Sequence, residues 1–383
     1  MRKFYLVLLS AALLSWQLHE IVLEEVTATN IPADQLKNNT MDIETADLDK
    51  DGDKDIILAM EFKPNIVLIN DGSGKFTNES QARLPQVIHD SEDIALADFD
   101  ADGDTDIVFV SEDDRVHEYY LNNGKGYFTD NSTSFPFTST ANAVDAADYD
   151  KDGDIDLLVG NDGQDFFLAN NGKGQFFDET KTRMPIDQTV TQDVQSADID
   201  GDGDLDLLMG NENGNRLYLN DGKGFFSDAT EGRLPLANEE TRKIRLCDID
   251  KDGDADAFIC NVDFGKGKDK SNRILVNNGK GYYTDETNQR LKAVNDMHTG
   301  DVGFADLDGD NDMDILIANL FGGYSQVCLN DGKGNFTEVT DKIFPQQLRG
   351  DAISIEIADW NKDGLPDIYF GFFRGGDRLF FSR

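Results

Sequence analysis

A nine-residue Asp-rich stretch returns about every fifty residues, and a period of that length commits a chain to a stacked or ring-like repeat architecture. Asp47-Leu48-Asp49-Lys50-Asp51-Gly52-Asp53-Lys54-Asp55 recurs from Asp98, Asp148, Asp198, Asp248, Asp306 and Asp359, in steps of 51, 50, 50, 50, 58 and 53 residues. A second signature trails the first six copies: Asn70-Asp71-Gly72, Asn122-Asn123-Gly124, Asn170-Asn171-Gly172, Asn220-Asp221-Gly222, Asn277-Asn278-Gly279 and Asn330-Asp331-Gly332. Asn-Gly and Asp-Gly steps supply the positive φ of tight hairpins. Between these turns lie short apolar or alternating runs such as Ile56–Ala59, Ile66–Ile69 and Phe76–Ser80, each of strand length.

One repeat therefore reads strand, Asp loop, strand, variable loop, strand, Asn-Asp-Gly turn, strand, connector. Four antiparallel strands of this kind make one propeller blade, so residues 20–383 are expected to form an all-β, seven-bladed β-propeller with almost no helix. The last copy supplies only Ala352–Ala358, Asp367–Gly371 and Arg378–Phe381. The missing strand is expected from the other end, because Leu23–Thr27 followed by Ile31-Pro32 reads like Phe336–Thr340 followed by Phe344-Pro345. An N-terminal strand closing the last blade removes the exposed edges of an open array.

The Asp loops carry carboxylates at positions 1, 3, 5 and 9, a Gly at position 6 and a usable carbonyl at position 7, a pattern suited to a hard, oxygen-seeking cation. The expected ligand sets are Asp47, Asp49, Asp51, Asp53 and Asp55; Asp98, Asp100, Asp102, Asp104 and Asp106; Asp148, Asp150, Asp152, Asp154 and Asp156; and Asp198, Asp200, Asp202, Asp204 and Asp206. They continue with Asp248, Asp250, Asp252, Asp254 and Asp256; Asp306, Asp308, Asp310, Asp312 and Asp314; and Asp359, Asn361, Asp363, Leu365 and Asp367. Calcium, about seven ions in a structural role, is the best match; two carboxylates ~5 Å apart repel by ~3 kcal/mol at an effective dielectric of ~20. Position 12 is apolar throughout, from Leu58 to Phe370, which excludes an EF-hand. Asn311 replaces the position 6 Gly of the sixth loop, and the seventh, with Asn361 and Leu365, is expected to bind most weakly.

Acidic residues number 75 against 35 basic ones, and a net charge of −40 argues against a nucleic-acid partner. Arg2-Lys3 followed by the apolar run Phe4–Leu14 matches a secretory leader over residues 1–19, too short for a transmembrane segment of the mature chain. The expected location is secreted, periplasmic or on the cell surface. Cys247, Cys260 and Cys328 stand where sister repeats are apolar and are expected as free, buried thiols; residue 257, not Cys260, is expected opposite Cys247.

The loops, the period and the trailing Leu-Asn-Asp-Gly-Lys-Gly-x-Phe element resemble the FG-GAP/VCBS repeats of integrin α-subunit propellers and of many bacterial secreted proteins. The resemblance covers essentially residues 20–383 and implies Asp loops on the lower face and partners on the opposite face or the rim. It does not settle a substrate, since the fold carries adhesins, lectins and a few polysaccharide lyases; the expected function is a monomeric calcium-binding module for a glycan or protein ligand, in adhesion for example. The alternative is a carbohydrate-active enzyme of the polysaccharide lyase type.

Candidate ligand-binding residues lie between the second and third strands of each repeat: Phe62 and Lys63, Arg115 and His117, Phe321 and Tyr324, Phe372 and Arg374. The longest step arises from Asn261–Lys270, a basic, Gly-rich insertion whose Phe264, Lys266 and Lys268 are the expected ligand site for an anionic group. No catalytic residue is expected; His89 and His298 are the only other candidates for acid/base chemistry, and Arg349-Gly350-Asp351 reads as a connector turn.

Overall fold

The computed structural model describes residues 22–33, 39–292, 297–344 and 346–383; the expected leader at 1–19 lies outside them. Five four-stranded antiparallel sheets and one eight-stranded sheet follow one another along the chain. The eight-stranded sheet is two four-strand meanders joined where Glu61 pairs with Asp90 and Lys63 with His89, at the far end of the strand Asp55–Lys63. Lys63 therefore belongs to a strand rather than to the expected variable loop. The last sheet is completed by the N-terminal strand Leu23–Glu25, which pairs antiparallel with Arg378–Ser382 through Leu23↔Ser382 and Glu25↔Phe380.

The second strand of each sheet is an unbroken apolar run because neighbouring sheets cover both of its faces. Ile56, Ile57, Leu58, Ala59 and Met60 are all fully buried. The cores sit between sheets, and one of them closes the circuit: Trp360, Tyr369, Leu379 and Phe381 of the last sheet pack with Ile43, Leu58, Leu68 and Phe76 of the first and with Val26 and Ile31.

Among the described residues, helix is confined to single turns such as Ser80–Arg83, Thr180–Arg183, Thr287–Arg290 and Thr340–Ile343. Each begins with a hydroxyl residue that accepts the first otherwise unpaired amide of the third strand, as Ser80 Oγ does from Val67 at 2.9 Å and Thr340 Oγ1 from Val327 at 3.0 Å. Thr27 does the same for Leu379 at 2.9 Å, so the N-terminal segment follows the repeat's own chemistry 352 residues away. The strand expected over Leu23–Thr27 ends at Glu25 for this reason, and Thr27 opens the turn Thr27–Asn30.

The cysteines are free, with Cys260 and Cys328 buried and Cys247 half-buried. The register corrects one expectation: Asp256, not residue 257, lies opposite Cys247, because the ladder resumes on the last Asp of the loop.

Candidate functional site

All seven Asp loops share one wiring. The position 1 carboxylate accepts the amides of positions 5 and 6 in most copies; Asp47 takes Asp51 N–H at 3.1 Å and Gly52 N–H at 3.0 Å. Position 9 is buried and ties the loop to the hairpin turn, Asp55 accepting from Leu48 at 3.1 Å and from Asn70 at 2.9 Å. Asn311 holds the left-handed position 6 of the sixth loop, φ 67°, and still donates its amide to Asp306 at 3.0 Å. A second left-handed residue, at position 4, carried no signal in the sequence. Lys50, Ala101, Lys151, Lys251 and Lys362 adopt φ between 59° and 64° there, which costs an L-residue roughly 1–2 kcal/mol.

The position 4 lysines reach across the ring. Lys362 pairs with Asp53, Lys50 with Asp104, Lys151 with Asp204 and Lys251 with Asp312, each the position 7 carboxylate of the following loop. The seventh loop, where Leu365 replaces that carboxylate, follows the sixth, whose position 4 is Gly309 and offers no lysine.

The Asn that opens each turn also does more than bend the chain. Its Nδ2 donates to the position 2 carbonyl of the preceding loop: Asn122 to Leu48 at 2.9 Å, Asn220 to Tyr149 at 2.8 Å, and Asn70 to Trp360 at 2.9 Å across the seam. Arg83 and Arg183 add a third stitch, each binding the position 3 Asp of its own repeat at 3.2 and 3.1 Å and a backbone carbonyl of the next turn at 2.7 Å.

One oxygen from each of Asp47, Asp49 and Asp51 lies within 4.8 Å of the others, as in the sets Asp98, Asp100, Asp106 and Asp198, Asp200, Asp206. Buried oxygens of Asp49, Asp200 and Asp250 at position 3, and of Asp156 and Asp367 at position 9, have no hydrogen-bond partner. Burial pushes the position 9 carboxyls, Asp55 and Asp314 among them, up to about 7. Clustered, oxygen-only and incompletely satisfied, this donor set fits a hard divalent cation.

The first strand of every sheet faces the central channel and carries a bulge, from Thr40/Asp42 to Ala352/Ser354. A bulge frees a backbone amide, and alternate sheets satisfy it with an aspartate: Asp93 accepts from Val144 at 2.8 Å, Asp193 from Ile244 at 2.7 Å and Asp301 from Ile355 at 3.0 Å. Lys243 lies among Asp93, Asp193 and Asp42 at 3.0, 3.5 and 3.8 Å, and Arg245 binds Asp301 at 3.0 Å. Burial, then the like charge of its neighbour, raises the Glu44 carboxyl; burial likewise raises Glu356.

Opposite the Asp loops, the channel mouth opens into a cleft of about 280 Å³. Met41, Arg242 and Ile353 reach it from bulged inner strands, and Phe264, Phe321 and Phe373 from the variable loops. Phe264 and Phe321 meet edge to face with centroids 5.7 Å apart, yet stay 54% and 57% exposed. Phe321 holds a left-handed φ of 54°, a strained state for a bulky side chain. Four carboxylates, Glu61, Glu92, Glu112 and Asp351, share the lining with Arg242 and Arg374.

Of the expected ligand residues, Phe264 faces this cleft, whereas the two lysines turn away to Glu212 and Asn213 beside the preceding sheet and to Glu240 and Asn238 of the connector into their own. Lys266 Nζ lies 2.6 Å from Glu212 and 3.3 Å from Glu240; Lys268 donates to Asn213 and Asn238 at 3.1 and 3.2 Å. His117 is buried, stacked on Phe137 at 4.6 Å, and burial lowers it to about 4, so it is core rather than an exposed anchor. His89 Nδ1 contacts Asp114 at 2.6 Å, and His298 Nδ1 accepts the Asp263 amide at 3.0 Å. Arg349-Gly350-Asp351 is bound to Gly322 by both its arginine and its aspartate.

Three comparisons place this architecture. Two structures of BBS1N in complex with ARL6DN, soaked with mercury and with lead, align over 95% and 94% of this chain and 98% and 96% of theirs, at TM-scores of 0.59 and 0.57 and identities of 12% and 11%. An Agrocybe aegerita lectin, described for its recognition of non-reducing terminal N-acetylglucosamine, aligns over 80% of this chain and 82% of its own at a TM-score of 0.50 and 20% identity. At such identities these likenesses speak to the β-propeller fold alone. No curated protein matches the sequence. The FG-GAP-like repeat matches residues 47–109, 98–159, 148–209, 198–259 and 306–370, most of the chain, and the protein belongs to the FG-GAP repeat family.

Proposed function

We propose that the chain is an exported binding module: a seven-bladed propeller, stapled by calcium in its Asp loops, that takes a glycan or protein ligand in the cleft at the channel mouth. Counting the eight-stranded sheet as two blades gives seven, and the Asn70 to Trp360 bond joins the last to the first. The orphaned buried oxygens of Asp49, Asp200 and Asp250 support the metal. Asp47, Asp49, Asp51, Asp55 and their counterparts would hold it, and calcium would supply the positive charge that lets crowded carboxylates stay ionised. Export rests on the leader-like residues 1–19.

The observation that carries the binding role is the cleft itself. Exposed aromatic rings around a concave, partly apolar space with a few charged groups are the usual anchors of ligand sites. Phe321 is both exposed and held at a left-handed φ, the kind of backbone strain that gathers at ligand sites. Because one structural neighbour recognises terminal N-acetylglucosamine, glycans are the first ligands to try, with immobilised extracellular proteins as the parallel arm.

The test is retention on a glycan array and a protein array by the native chain and by a Phe264→Ala/Phe321→Ala double variant. Retention by the native chain and its loss in the variant, with an unchanged melting temperature, is the expected result. Undiminished binding by the variant would move the site off this cleft.

A further inference from the structure

We propose that Asp90, Glu92 and Glu112 form a further divalent-cation site of the calcium class, on the face opposite the Asp loops. One carboxylate oxygen from each lies within 4.8 Å of the others. Asp90 and Glu92 open the inner strand His89–Ala97, whereas Glu112 directly follows the paired strand Asp106–Ser111. The Glu112 amide donates to Asp90 O at 3.2 Å, which holds the two residues side by side. Eight residues of strand separate Asp90 from the loop that starts at Asp98, about 25 Å at a strand's rise per residue. The cluster is therefore not part of the repeated loop.

Proximity of acids alone would mean little. The independent observation is Asp90, a buried side chain whose Oδ2 accepts the Asp113 amide at 3.0 Å and whose Oδ1 is buried with no hydrogen-bond partner. Such an oxygen needs a donor or a cation. Arg242 is the cation in contact with the group; it reaches Glu92 Oε2 at 3.2 Å and spends its other arm on Gln192 at 2.5 Å. Within the cluster that contact is to Glu92, and Asp90 Oδ1 is left without a partner. An all-oxygen set without nitrogen or sulfur selects a hard ion such as calcium, or manganese as its probe.

Glu92 and Glu112 also line the cleft. An ion held by the three carboxylates would keep coordination positions open toward that space, available to hydroxyl or carboxylate oxygens of an entering ligand. The site stands on its own geometry and does not require the cleft to be the ligand site.

Anomalous diffraction from crystals grown in calcium and soaked with Mn²⁺ tests it. The expected map has a peak between Asp90, Glu92 and Glu112, with metal–oxygen distances of about 2.2–2.5 Å, beside peaks in the Asp loops. The Asp90→Asn/Glu112→Gln variant should lose that peak and keep the others. Loop peaks with none at Asp90 would overturn the proposal. Should the variant not fold, the native map alone decides. No ligand enters this measurement, so its outcome is separate from the array result.

Discussion

On the Asp-loop face, six asparagines make the same bond to six successive carbonyls, and four lysines make the same ion pair to the first, second, fourth and sixth loops. On the opposite face the backbone bond past each second strand still repeats, as from Glu112 N–H to Asp90 O and from Val262 N–H to Glu240 O, but the side chains around the cleft do not. Phe264 lies in one insertion, Phe321 in a strained turn of the next sheet, and Arg242 bridges Gln192 and Glu92 from two other sheets. Repetition marks the side that holds the ring together; irregularity marks the side free to specialise. The comparison can be broken or sharpened by perturbing each face in turn.

The largest effect should come from removing metal from the repeated face. Chelation is expected to lower the melting temperature by more than about 10 °C, with saturable recovery on adding calcium, because a ligand bound only by the native state adds RT ln(1 + [L]/Kd) per site. A melting curve indifferent to EDTA would end the calcium claim. Next comes the seam. Val26 donates its amide to Leu379 O at 2.9 Å, so Val26→Pro removes an inter-terminal bond and should cost roughly 3 kcal/mol in urea denaturation.

A single stitch is smaller still. Asn122→Ala strands the Leu48 carbonyl and the amides of Gly124 and Gly126, for about 2–3 kcal/mol. Its exposed neighbour Asn123, which caps only its own turn at Lys125, should cost well under half of that when changed to Ala. Equal costs at both positions would remove the distinction between stitch and turn.

A pH series probes the channel between the faces. Glu44 and Glu356 are raised above the ordinary carboxylate range, so the folded state binds more protons than the unfolded chain from about pH 4.5 upward. Their contribution to stability is full below that pH and is lost as pH rises through their folded values. With calcium saturating, stability should therefore decline toward alkaline pH, and Glu44→Gln/Glu356→Gln should flatten the decline. The smallest stability effect belongs to the irregular face, where Phe264→Ala and Phe321→Ala, both exposed, should each change stability by no more than about 0.5 kcal/mol.

Much of the repeated face was legible in the sequence, because periodicity reports what recurs. Strand limits such as Ala352–Ala358 were read correctly, and so was the origin of the closing strand. What stayed hidden were second roles. Asn70 and its counterparts read as turn formers, which they are, but their bond to the previous loop joins residues some 70 positions or more apart that no local pattern connects. Nothing in the sequence marked Lys50, because its positive φ and its partner Asp104 are tertiary facts.

On the irregular face, insertion length pointed to Phe264, while nothing marked Met41, Arg242 or Ile353. A bulge turns these inner-strand residues toward the cleft, and in sequence they are one more residue in an alternating strand. What the sequence did not show is that Lys266 and Lys268 have carboxylate and amide partners, Glu212 and Asn213 among them, that no local pattern links to the insertion.

The closing strand also sets a schedule for biosynthesis. Thr27 cannot satisfy Leu379, 352 positions further on, until the chain between them has been made, roughly 20–70 s at ordinary translation rates. Through that interval the nascent chain must carry Val26 and Ile31 without the Trp360 and Leu379 surface that later covers them. A ribosome stall in the last repeat would therefore leave a nearly finished ring with both closing edges bare, a natural substrate for a holdase and a risk for strand exchange between neighbouring nascent chains.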